Sequence, residues 1–94
     1  MLKMLKVSNM TSCKGNAMPN QFIIKTDEGN YFQSYKTIIA LVENNPTKII
    51  LDNNALNYSR TTSKYLYQFL DMKKDEILLK IGEGKIILKD LNTK

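Results

Sequence analysis

The sequence predicts an α+β domain: a small antiparallel sheet of about four or five short strands with two helices near the C-terminus. Three observations point there. Residues 21–35 alternate in polarity around a turn, residues 37–51 hold two short β-branched runs, and from Ser59 apolar residues recur with a helical period. At 94 residues, 43% hydrophobic and 24% charged, the chain has the composition of one ordinary folded domain and not of a disordered segment.

Residues 1–20 are expected to be an irregular lead-in to a single α+β domain over 21–94. Ser8-Asn9-Met10-Thr11-Ser12, Lys14-Gly15-Asn16 and Pro19-Asn20 are turn formers without a period. From Gln21 a strand is expected, because Phe22, Ile24 and Thr26 alternate with Ile23 and Lys25. Asp27-Glu28-Gly29-Asn30 supplies a turn, with Gly29 free to take a positive φ, and Tyr31 to Tyr35 returns as the second strand of a hairpin. Within Lys36 to Glu43, the residues Ile38, Ile39, Leu41 and Val42 favour a buried strand over a helix. Asn44-Asn45-Pro46-Thr47 breaks it, Lys48 to Leu51 closes a second hairpin, and Asp52-Asn53-Asn54 is a polar turn.

Ser59 or Thr61 can cap the first helix, whose inward face is Thr62, Tyr65, Leu66, Phe69 and Leu70. Asp71 is expected to stop it and to cap a second helix, Met72 to Ile81, with Gly82 as its C-terminal cap. Glu76 and Lys80 would form an i,i+4 pair there. Ile77 to Lys89 also fits a β-hairpin around Gly82-Glu83-Gly84; Asp75-Glu76 at the start and Lys80 at the end match a helix dipole and favour the helix. Lys85 to Leu91 is the last expected strand.

Most catalytic chemistry lacks its residues. There is no histidine, Cys13 is the only cysteine, and the four glycines do not form a phosphate loop. Asp52-Asn53-Asn54-Ala55-Leu56 faintly imitates a calcium loop but puts Leu56 where an oxygen ligand is needed. Thr61-Thr62-Ser63-Lys64 imitates an acylase motif with threonine in the nucleophile's place. Asp75 and Glu76 are adjacent and would point apart on a helix. No enzyme activity, metal or cofactor is expected, and Cys13 is read as incidental. Residues 1–10 lack the continuous apolar core of a signal peptide, and no apolar run could cross a bilayer, so a cytoplasmic location is expected.

The net charge is +5, and Arg60 is the only arginine among fourteen cations. Such a surplus suits acidic partners, nucleic acid above all, and equally serves solubility. With the inward face of the first helix buried, Arg60, Lys64 and Tyr67 fall on its outward face at i, i+4 and i+7. Cations there can meet phosphates while Tyr67 stacks on a base or fills a partner pocket. Tyr31 and Tyr35, on one strand face with Gln33 between, are a second candidate stacking surface. These five side chains are the candidate partner-binding residues.

Gly15-Asn16, Asn20-Gln21-Phe22, Tyr31-Phe32-Gln33-Ser34-Tyr35, Ile39-Ala40, Tyr58-Ser59 with Thr61-Thr62, Lys64-Tyr65, Gln68-Phe69-Leu70 and the closing Leu88 to Asn92 together resemble a small family of phage and prophage proteins of low-G+C bacteria that carries no assigned function. The resemblance spans about residues 13–92. It implies a mobile-element origin and a helix over 72–81, and it supplies no catalytic residues. Phage accessory proteins bind host machinery, so the expected function is a non-catalytic inhibitor of a host nucleoprotein or defence nuclease, of the anti-CRISPR type. The alternative is a basic nucleic-acid-binding module acting on phage DNA or RNA.

Overall fold

The computed structural model of the chain describes residues 4–12, 14–44 and 47–92; Cys13 and the Asn45-Pro46 break lie outside the described residues. Its elements are β1 (Met4–Thr11), β2 (Ala17–Thr26), β3 (Gly29–Ser34), β4 (Thr37–Asn44), β5 (Thr47–Asp52), a single 3-10 turn (Ala55–Asn57), α1 (Arg60–Leu70), α2 (Lys74–Gly82) and β6 (Ile86–Lys89). The strands form one sheet in chain order, antiparallel from β1 to β5, with β6 running parallel to β5. The α+β class and the two C-terminal helices are as the sequence predicts.

The described part of residues 1–20 is not an irregular lead-in. Met4–Thr11 is an edge strand and β2 begins at Ala17. Their pairing is interrupted twice, between Met4 and Lys6 and between Asn9 and Thr11. Each interruption breaks the two-residue alternation that advertises a strand. Pro19 and Asn20 (φ 68°) sit inside the second one, where no ladder bond is required of proline. The strand still contributes to the core, because Met10 is buried.

Strand β3 ends at Ser34, so Tyr35 belongs to the tight turn into β4 and not to the strand. Its φ of 57° is a left-handed value that an aromatic residue seldom adopts. Two hydrogen bonds hold it there: its N–H donates to the Asn20 carbonyl at 2.7 Å, and Gln33 Nε2 donates to its carbonyl at 2.7 Å. In the preceding hairpin, Thr26 Oγ1 donates to the Gly29 carbonyl and accepts from the Glu28 and Gly29 N–H groups, which closes the loop tightly.

Both helices pack on the sheet face that carries Phe32, Ala40, Leu51 and Ile86, and they fill it with Tyr65, Leu66, Leu70 and Ile77. Phe69 stacks on Phe32 at 5.7 Å between centroids. Ser59, and not Thr61, is the N-cap: it takes an extended backbone and its Oγ accepts from the Thr62 N–H at 3.3 Å. Thr62 in turn bonds Ser34 Oγ at 2.9 Å, which fastens the start of α1 to the end of β3.

Asp71 does end α1, in a left-handed conformation (φ 55°), with the Asp71 and Met72 N–H groups bonded back to the Gln68 and Tyr67 carbonyls. It does not cap α2, which starts at Lys74 behind Lys73 with no side-chain cap. Gly82 is still helical, and Gly84 (φ 77°) provides the left-handed residue, its N–H reaching Ile81 and that of Lys85 reaching Lys80. The Glu76–Lys80 pair forms at 3.8 Å. Because Asp71 is a non-glycine left-handed residue and places a carboxylate at the negative end of a helix, Asp71→Gly is expected to stabilise the fold by about 0.5–1 kcal/mol. A urea midpoint that rises at constant slope would show this; a fall would mean that the Asp71 side chain contributes more than its backbone costs.

Leu91 and Asn92 are clasped to the sheet. Asn92 accepts from the Ile38 N–H at 2.7 Å and donates to the Ile38 carbonyl at 2.9 Å. Its Nδ2 also donates to the buried carboxylate of Asp52, which accepts from the Leu91 and Asn54 N–H groups. Asp52 thus acts as a bracket for the chain around it, a task far from the calcium loop that its sequence context imitates.

Candidate functional site

Helix α1 carries its charges against its own dipole. Its first turn holds no acid and its last turn no base; Arg60 is its first residue and Asp71 follows its last. A cation at a helix N-terminus and an anion at its C-terminus each cost stability. The neighbouring α2 does the reverse, with Asp75 and Glu76 in the first turn and Lys80 in the last. The cations of α1 are therefore poorly explained by helix stability.

They line an open groove of about 710 Å³ bounded by Leu56, Tyr58, Arg60, Ser63, Lys64, Tyr67 and Lys74. Arg60 and Lys64 are exposed, and Tyr67 is half-buried with part of its ring against the core. Three cations, two tyrosines and one hydroxyl face the groove with no carboxylate among them. Lys64 Nζ also lies 5.7 Å from the Tyr65 ring centroid, a weak cation–π contact that leaves the ammonium exposed. Chemically the groove can take an anion and stack a planar ring.

Tyr58 forms the wall between this groove and a more polar recess of about 440 Å³ lined by Lys36, Thr37, Asp52, Asn53, Asn54, Asp90 and Asn92 as well as Tyr58 itself. Partial burial holds the Tyr58 hydroxyl above its ordinary titration range, and the nearby Asp52 carboxylate adds to the effect. The ring lines both recesses.

Of the five candidates, the structure brings together Arg60, Lys64 and Tyr67. It does not bring Tyr31 and Tyr35 into one platform. Tyr31 pairs with Ile24 and Leu41 in mid-sheet, whereas Tyr35 is on the exposed tip of the β3–β4 turn. The Tyr31 hydroxyl is raised by burial first and then by the Glu28 and Glu43 carboxylates, surroundings that repel a phosphate. Tyr58 and Lys74 were not candidates. Tyr58 precedes the helix and Lys74 opens the next one, so no periodicity within α1 includes them; only the return of the chain at Asp71 sets Lys74 beside Arg60 and Lys64.

Among the described residues no group of three or more potential ligands could hold a metal ion, and no helix is long and apolar enough to cross a membrane. Comparison of the chain with curated proteins and with solved structures finds no match. Residues 5–87 match the family of unknown function DUF8033, and the chain belongs to that family.

Proposed function

We propose that this chain is a non-catalytic, phage-encoded accessory protein of the host cytoplasm, and that the α1 groove binds the phosphate backbone of nucleic acid. One observation carries the reading: Arg60, Lys64 and Lys74 line a single groove with Tyr58 and Tyr67 and no carboxylate. Phosphates would sit between the cations, and tyrosine rings would offer sequence-tolerant stacking to exposed bases. A net charge of +5 speeds the encounter. An inhibitor of a guided host nuclease would use the same groove if it grips the guide or the displaced strand of the complex. A basic chain cannot act by imitating nucleic acid.

Arg60→Ala with Lys64→Ala tests this. The double variant is expected to melt at the parent temperature or slightly above it, since exposed charges contribute little and Arg60 opposes the helix dipole. Its affinity for single-stranded DNA or RNA, measured by fluorescence anisotropy at two salt concentrations, should drop by about tenfold or more. The slope of log affinity against log salt should become shallower by roughly 0.7–0.9 for each lost phosphate contact. Parent affinity and parent slope in the folded variant would assign the groove to solvent.

A further inference from the structure

The α1 groove has a neighbour on each side. Tyr58 divides it from the polar recess of about 440 Å³. Tyr67 divides it from a third recess, of about 420 Å³, lined also by Gln68, Asp71, Met72, Lys73 and Glu76. Charge alternates along the three. The central groove holds Arg60, Lys64 and Lys74 without a carboxylate. Each flanking recess sets two carboxylates against one lysine: Asp52 and Asp90 with Lys36 on one side, Asp71 and Glu76 with Lys73 on the other. The two tyrosines are well separated. Tyr58 stands before the first residue of α1, and the helix from Arg60 to Tyr67 alone covers about 10 Å of axis.

We propose that this surface takes single-stranded and not duplex nucleic acid, with a phosphate among Arg60, Lys64 and Lys74 and, beyond Tyr58 and Tyr67, bases that carry an exocyclic amine. The proposal rests on the reading of the central groove as a phosphate site. A duplex runs an unbroken line of phosphates along each strand, about 3.4 Å apart along the axis, and its base faces are covered by their neighbours. Laid across the three recesses it would press phosphates towards four carboxylates and leave both tyrosines without a ring to stack on. A single strand can turn its backbone inward at the centre alone and unstack two bases to reach two separated rings. The flanking recesses have the size for a base, since small-ligand pockets span about 300–1,000 Å³. Their polar groups then select which base enters. A carboxylate accepts from the N4 amine of cytosine, and an asparagine amide pairs with N6 and N7 of adenine. Asn53 and Asn54, both exposed, line the same recess as Asp52 and Asp90. Thymine and uracil present a carbonyl oxygen in place of the amine, which a carboxylate repels.

Fluorescence anisotropy of the full chain with labelled oligo(dA), oligo(dC), oligo(dT) and a mixed-sequence duplex, all of one length and at one salt concentration, tests the proposal. The dA and dC strands are expected to bind about tenfold tighter than either dT or the duplex. Simple alternatives predict other orders. A basic patch alone favours the duplex, whose charge density is higher. Tolerant stacking alone favours dT, whose backbone is the more flexible. Asp71→Asn with Glu76→Gln, which removes the carboxylates of one flanking recess, should lower the preference for dC over dT by about threefold and bring the duplex closer to the single strands. Circular dichroism would show that the variant is folded; if it is not, Asn53→Ala with Asn54→Ala in the other recess should lower the preference for dA in the same way. A duplex or a dT strand that binds as tightly as dA and dC overturns the proposal and leaves the phosphate site standing, and so does an unchanged preference in a folded variant. Absence of salt-dependent binding to all four probes overturns the phosphate site and the proposal together.

Discussion

Leu66→Ala is expected to remove about 3–5 kcal/mol of stability, the range seen when a leucine is truncated in a core that cannot collapse around the gap. Leu66 has no exposed surface and lies in the cluster formed by Phe32, Leu51, Leu70 and Ile77, between α1 and the centre of the sheet. The sheet backbone below it is fixed by ladders on both sides, and Phe69 beside it is committed to its stack on Phe32. Relaxation is therefore limited and most of the cavity should persist. A domain of this size holds roughly 5–15 kcal/mol in total, so the variant sits near the threshold of folding. The check is the urea midpoint at unchanged slope. A loss below about 1 kcal/mol would mean that α1 presents a different face to the sheet.

Gly29→Ala is expected to be comparably damaging, at about 3 kcal/mol or more, for the opposite reason: too much volume and not too little. Gly29 opens β3 and faces Glu43 of β4. A Cβ built on it would run into the carbonyl oxygen of Val42 and come within 2.8 Å of the Glu43 Cα. Both obstacles are backbone, held in the ladder that pairs Asn30 with Val42, so neither can swing aside as a side chain would. The loop above is no softer, because Thr26 Oγ1 ties it by three hydrogen bonds. Gly15→Ala is the control, since a Cβ there meets nothing within 4 Å, although its φ of 83° still carries backbone strain. If Gly29→Ala unfolded no more readily than Gly15→Ala, the close approach of β3 to β4 would be disproved.

What could be read from the sequence follows from which signals are local. Ser59 and the Thr62, Tyr65, Leu66 and Leu70 face of α1 were legible because capping and helical period act within a few residues, and all four are buried. The hairpins β2–β3 and β4–β5 were legible for the same reason. Strand β1 was not: its backbone pairs with β2, but two bulges and the polar Ser8, Asn9 and Thr11 erase its period. The exchange of Gly82 for Gly84 as the left-handed residue is a matter of where α2 stops, which the last turn of hydrogen bonds decides. The candidate groove was half legible. Arg60, Lys64 and Tyr67 share a helix face, whereas Lys74 and Tyr58 reach it only through the path of the chain. Tyr31 and Tyr35 were misjudged as a pair because a turn residue was counted as strand.

The parallel strand β6 gives the chain an uneven folding schedule. Strands β1 to β5 are each paired with their sequence neighbour, so their contacts close small loops and can form early. Strand β6 must wait for the whole of residues 53–85, both helices included, before it reaches Ile49, Ile50 and Leu51. Until then β5 presents an unpaired apolar edge, the kind of surface on which nascent or shortened chains aggregate. During synthesis this edge emerges well before the four residues that protect it, and a stop codon ahead of Ile86 would leave it bare for good. The four residues of β6, Ile86–Lys89, thus exchange a six-residue edge for a shorter one that ends in a lysine, the kind of edge that resists pairing with a neighbour.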